Sequence, residues 1–195
     1  RAHVTRRQLA AVALVGSACF YPLLRAAALG QAQVALNLLF VLASLAWVRD
    51  RPWTSGALLG LSALVKPQMV LLLVWAVLRR EFGMAAAGLG VIVLGIAAAC
   101  ALHGTAWIGG YLSLLSFITE HGEAFFANQS ANGLALRWLG LGSNLEWDSA
   151  AYAPHHPLVH AVTLAAAIGF TALALGQALR RGGALDRAAA FAVAG

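Results

Sequence analysis

One stretch, residues 54–78 (TSGALLGLSALVKPQMVLLLVWAVL), limits what this chain can fold into. Its only charge is Lys66, followed at once by Pro67. As helix, either half of about 12 residues reaches only ~18 Å, well short of a ~30 Å hydrocarbon core. The whole run is long enough to cross once, but Pro67 lacks a backbone donor and biases Lys66 away from helical geometry. Arg49 and Arg51 precede the run, and Arg79 and Arg80 follow it. Basic flanks at both ends place both ends on the cytoplasmic side. The stretch is therefore predicted to be a re-entrant hairpin with Lys66 at its buried tip. A lone ammonium at that depth costs roughly 2.5–3.5 kcal/mol on insertion scales, so it needs an anionic partner or a wet cavity. A non-helical break at that depth needs a cavity as well.

The rest of the chain has the same character. Of its 195 residues, 61% are hydrophobic and 10% charged, which is the composition of a polytopic helical membrane protein. A net charge of +6 invites a nucleic-acid reading, but the arginines stand in short clusters between apolar runs, not on one soluble face. Cys19 and Cys100 lie inside apolar runs and read as small packing residues, not as a disulfide or metal pair. The fold class expected is all-α, with spans at about 8–24, 32–48, 84–102 and 157–179 around the hairpin at 54–78. With no initiator Met and an apolar stretch at 188–195, the chain is expected to be an interior part of a longer protein, ending as a further span begins.

Threading these spans alternately puts ten of the thirteen basic residues on one side: Arg1, Arg6, Arg7, Arg49, Arg51, Arg79, Arg80, Arg180, Arg181 and Arg187. Arg25, Lys66 and Arg137 face the other way. Basic residues mark the cytoplasmic side, so the long interval at 103–156 is expected to be an extracytoplasmic loop. Within it, Trp107, Tyr111, Leu114, Leu115, Phe117 and Ile118 recur at helical spacing and predict a helix lying in the membrane interface. Residues 131–140 predict a short helix carrying Arg137 and Trp138. The loop's acids are Glu120, Glu123, Glu146 and Asp148.

Three outward cations with almost no other charge at membrane depth are the main pointer to chemistry. Arg25, Lys66 and Arg137 are candidates to converge on an anion, and a lipid phosphate is the anion most available there. The alternative is that Arg25 snorkels and Lys66 pairs with an acid elsewhere. Gln31, after Gly30, is either a hydrogen-bonding group at a helix N-terminus or part of a capping turn. Asn128-Gln129-Ser130 also fits a glycosylation pattern. His155, His156 and His160 invite a metal site, but only His160 falls on the helix that Pro157 opens and no Cys or carboxylate joins them. No metal or cofactor is expected. Walker, HExxH, CxxC and GxSxG patterns are absent.

Tyr21-Pro22 with Gly30-Gln31, Gly60-Leu61 with Lys66-Pro67, and Asn128-Gln129-Ser130-Ala131-Asn132-Gly133 with Arg137 together resemble glycosyltransferase family 87. The order and spacing match over nearly the whole chain. Two positions depart from the family's pattern: Gln33 stands where Asn is frequent, and Met69 where Pro is common. The resemblance implies a GT-C membrane fold in a bacterial plasma membrane, with the site on the extracytoplasmic face. The implied enzyme transfers a sugar, mannose by analogy, from a polyprenyl phosphate carrier to a lipid or glycan acceptor. Lys66, Arg137 and Arg25 would stabilise the departing phosphate, while Gln31, Asn128, Gln129, Ser130 and Asn132 would orient sugar or phosphate. The resemblance puts the general base in an outer loop upstream of Arg1, so no catalytic residue is assigned here and the chain alone is expected to be inactive. The competing expectation is a transporter or lipid flippase, which also places cations at broken helices near the midplane.

Overall fold

A computed structural model describes residues 5–146 and 152–178. Arg1, Asp148, Ser149, Arg180, Arg181, Arg187 and the expected further span at 188–195 lie outside them. Among the described residues, nine α-helices and one 3₁₀ turn account for the regular structure and no strand occurs. Two helices, α6 (Phe82–His103) and α9 (Pro157–Ala178), hold segments long and apolar enough to cross a membrane.

The first expected span is two helices, not one. α1 (Arg6–Cys19) stops at Phe20, and α2 (Tyr21–Ala28) begins immediately after it. The break falls just before Pro22, which sits in the first turn of α2, where its missing backbone N–H costs least. The capping box at the start of α1 closes as Thr5 N–H donates to Gln8 Oε1 (2.8 Å) and Gln8 N–H to Thr5 Oγ1 (3.3 Å).

The central body is built from α3 (Gln33–Val48), α4 (Pro52–Val65) and α5 (Leu71–Leu78) with α6. Two glycines in α4, four residues apart, let it approach α6 closely. A Cβ on Gly56 would strike the Met84 carbonyl, and one on Gly60 would lie 2.5 Å from the Gly88 oxygen. Leu64 in turn lies over Gly95, so α4 and α6 run side by side in the same direction. Leu73 of α5 also sits against Gly88, and a tight turn joins α5 to α6. α5 therefore runs back against both, and the chain reverses between Val65 and Leu71.

The reversal brings the basic flanks together. Trp47, at the end of α3, meets Trp75 of α5 edge to face at 5.1 Å. The Arg79 guanidinium lies 5.5 and 5.2 Å from the two ring centroids. These rings are buried with Leu59, Leu72, Leu73 and Met84 in the main core. Asp50 and Arg80 close α3 and α5 in the left-handed conformation, at φ 55° and 61°, a geometry that usually falls to glycine.

The long loop is partly helical. α7 (Ala106–His121) follows α6 after a two-residue break, and none of its residues is buried. α8 (Ala131–Trp138) packs on the start of α9 through a second core of Ala124, Leu136, Ala153 and Val159. Further along α9, Leu175 packs against the main core. From Val159 to Leu175 is about 24 Å of helix, so α9 ties the α8 region to the central body across that distance.

Candidate functional site

Lys66 stands where α4 ends. Its backbone is extended (φ −128°, ψ 96°), its N–H donates to Ser62 O at 2.8 Å, and Pro67 opens a 3₁₀ turn over Pro67–Val70. Leu64 is level with Gly95, about 20 Å along α6 from Phe82 and ~12 Å short of His103, and Lys66 follows two residues further on. The side chain is half-buried, and its Nζ donates to Gln33 Oε1 at 2.7 Å. Gln33 Nε2 in turn donates to Asn37 Oδ1 at 2.8 Å.

This partner is neutral. Among the described residues no carboxylate pairs with Lys66, so its charge is oriented by an amide dipole without being cancelled. An ammonium has three N–H bonds, and Gln33 takes one. Gln33 is also the first residue of α3, whose N-terminus has no side-chain cap. The positive end of that helix and the Lys66 charge therefore occupy the same place, an arrangement that favours an anion.

Gly30 and Gln31 resolve into two functions. Gly30, at φ 63°, and Gln31 close α2 by donating to Ala27 O (3.0 Å) and Ala26 O (2.9 Å), which is the capping turn. Gln31 lines an open, mainly apolar groove of about 770 Å³ between α1, α2 and α3, as does Asn37. Leu23 and Ala27 form the α2 wall of that groove. Arg25, two residues from each, is on the opposite face of α2, and it is exposed.

The Asn128–Arg137 stretch is a separate construction. Asn128 Oδ1 accepts from the Ser130 hydroxyl (2.7 Å) and the Ser130 N–H (3.2 Å), and its Nδ2 donates to Glu123 O (2.7 Å). Ser130 caps α8 by accepting from Gly133 N–H at 3.3 Å. Gln129 Nε2 donates to Phe126 O. Asn132, 8% exposed, accepts from Glu123 N–H at 3.3 Å. A Cβ on Gly133 would collide with the Asn128 carbonyl, which accounts for the glycine there. Arg137 Nη1 then donates to the carbonyls of Asn128 (2.8 Å), Phe125 (3.0 Å) and Ala124 (3.4 Å). The loop is thus clamped from both sides by its own polar groups.

Among the described residues Lys66 and Arg137 share no hydrogen-bond partner. α8 makes its main helix contact with α9, whereas Lys66 belongs to the α3–α4 tip. Glu123 and Glu146 line one cavity of about 240 Å³ with Phe125, Ser143 and Tyr152. His155 and His160 have ring centroids 5.8 Å apart. No group of three His, Cys, Asp or Glu side chains gathers at metal-holding distance among the described residues. Sequence reasoning missed Gln33 and Asn37 as a pair. Their signal was two amides four residues apart on one face of an otherwise apolar run.

The sequence profile of glycosyltransferase family 87 matches residues 1–195, the whole chain. The chain belongs to glycosyltransferase family 87. No curated protein and no solved structure matches it. Membership of family 87 makes it part of a sugar-transferring enzyme with a donor and an acceptor, and the transporter or flippase expectation falls. With two apolar helices of membrane-crossing length, this family 87 glycosyltransferase is a membrane protein.

Proposed function

We propose that this enzyme transfers mannose from a polyprenyl phosphate carrier to a lipid or glycan acceptor on the extracytoplasmic face of a plasma membrane. The observation that carries this reading is the Lys66 ammonium. It is held 2.7 Å from a neutral amide, at an uncapped helix N-terminus, two residues beyond the level about 20 Å along a membrane-length helix. A water-soluble nucleotide sugar has no reason to meet a cation at that depth, whereas a lipid-borne phosphate does. In the reaction the acceptor hydroxyl attacks the anomeric carbon as the carbon–phosphate oxygen bond breaks. Polyprenyl phosphate leaves with the electron pair, and the acceptor's proton passes to a carboxylate outside the residues assigned here. Lys66 and the α3 N-terminus stabilise the charge that grows on the departing phosphate.

The other candidates take supporting parts. Arg137, Asn128, Gln129, Ser130 and Asn132 hold the outer loop in one conformation, and their internal hydrogen bonds favour that role over direct contact with phosphate. Gln31 lines the groove from which a lipid chain would approach. Arg25 serves at the interface. α7, whose Trp107, Tyr111 and Phe117 are all exposed, lies along the outer membrane surface.

The test is a donor comparison in membrane vesicles of known orientation. Radiolabelled polyprenyl-phosphate mannose should support transfer and GDP-mannose, added where no polyprenyl carrier can be charged, should not. Direct transfer from the nucleotide sugar would overturn the reading. A single cysteine at Ser116 in α7, without Cys19 and Cys100, should label from outside intact cells, and labelling only after permeabilisation would reverse the orientation.

A further inference from the structure

We infer that Gln33 is a positioning residue for Lys66 and that Asn37 braces the Gln33 amide in the orientation Lys66 requires. A glutamine can present either its oxygen or its nitrogen to a neighbour. An ammonium can only donate, so Gln33 is useful to Lys66 in one of its two orientations. The ammonium itself selects Oε1, which meets Nζ at 2.7 Å, and Asn37 braces that orientation by accepting the Gln33 Nε2–H on its Oδ1 at 2.8 Å, one helical turn away. The two amides form a neutral relay that runs from the half-buried ammonium to the wall of the groove that Asn37 lines.

Neutrality is the point of the device. A carboxylate at position 33 would hold Lys66 just as firmly, but it would cancel the charge and compete with any incoming anion. An apolar residue would leave the charge intact but its direction unset, with a costly ammonium lacking its protein acceptor. An amide acceptor fixes the ammonium and leaves two of its N–H bonds and its whole charge for a phosphate. The sequence therefore meets two requirements at once, a stable buried cation and an uncancelled one.

This inference rests on the reading of Lys66 as the phosphate-binding group, and the experiment separates the two. Full-length enzyme carrying Gln33→Glu, Gln33→Leu, Asn37→Leu or Lys66→Met is assayed for transfer against polyprenyl-phosphate mannose concentration, with melting temperature measured in detergent. Gln33→Glu should keep or raise the melting temperature through its new ion pair, yet lower transfer at limiting donor about 100-fold, a loss comparable to that of a phosphate contact. Opposite movement of stability and activity is not what a merely structural residue gives. Gln33→Leu should lose about 10-fold and Asn37→Leu roughly 5-fold, the order expected for a hydrogen bond to a charged group and for its second-order support. In a Lys66→Met background, none of the three should lower transfer further. Near-normal transfer by Gln33→Glu while Lys66→Met is inactive overturns the relay and leaves the Lys66 reading standing. Near-normal transfer by Lys66→Met overturns both. If Gln33→Glu does not accumulate, Asn37→Leu carries the test, and its unchanged transfer overturns the relay.

Discussion

Two cations in this enzyme look alike in sequence and differ in structure. Lys66 and Arg137 each sit in a weakly charged stretch, and among the described residues neither has a carboxylate partner. Arg137 answers that by directing Nη1 into three loop carbonyls, 2.8 to 3.4 Å away, so its charge holds backbone. Lys66 meets one amide oxygen at a break between helices, and its remaining donors are uncommitted to any protein group the structure describes. The difference teaches that an unpaired cation is not by itself a ligand site. What separates the two is how many protein acceptors each has: three loop carbonyls fix Nη1 of Arg137, whereas a single amide oxygen meets Lys66, and neither charge is cancelled.

The sharpest way to break the comparison is to wedge open the region around Lys66 alone. Gly60→Leu places a side chain where a bare Cβ already lies 2.5 Å from the Gly88 oxygen. It should cost about 3 kcal/mol or prevent accumulation, at the upper end for overpacking. Thermal denaturation in detergent reads the loss, and proteolysis within 122–146 should change little in whatever protein folds. An unshifted melting temperature would mean that α4 and α6 are not in the contact described here.

Arg137→Met makes the reverse cut. It removes a charged donor from three carbonyls, a loss of about 1.5–3 kcal/mol confined to the loop. Limited proteolysis and hydrogen exchange should both open 122–146, with the central body unaffected. Arg137→Lys should recover only part of that protection, since a single ammonium lacks the span of the guanidinium fork. Full protection in Arg137→Met would return Arg137 to the ligand candidates.

A smaller effect belongs to the cap of α8. Ser130→Ala removes the acceptor for Gly133 N–H and one partner of Asn128, and should cost about 1 kcal/mol, visible as faster exchange at 131–134. The smallest is a gain. Arg80 closes α5 at φ 61°, so Arg80→Gly should stabilise by a few tenths of a kcal/mol up to about 1 in melting measurements, with transfer unchanged.

Much of the local structure was legible because its causes are local. Pro67 announces the break at Lys66, the aromatic spacing after Trp107 announces α7, and residues 131–140 contain α8. Phe20 was misread within one long span because apolar length outweighed Pro22, which sits in the first turn of α2 just after the break. The close approach at Gly56 and Gly60 was not legible, since their partner helix begins more than twenty residues later. The contacts of the candidate residues were not legible in the sequence. Lys66 meets Gln33 across 33 residues, and Arg137 meets carbonyls that gather only once the loop closes. Neither contact leaves a spacing in the chain. The family resemblance makes Asn128-Gln129-Ser130 a ligand set, yet a loop that must bind its own backbone calls for the same polar groups.

The central claim is that Lys66 holds the donor phosphate as it leaves. The direct measurement is single-turnover transfer from saturating polyprenyl-phosphate mannose by full-length Lys66→Met in membranes, compared at matched folded protein with the unaltered enzyme. A contact that strengthens as the leaving group departs predicts a fall in turnover of about 100-fold or more, with a smaller change in apparent donor affinity and an unchanged melting temperature. Turnover within a few-fold of the unaltered enzyme would contradict the account.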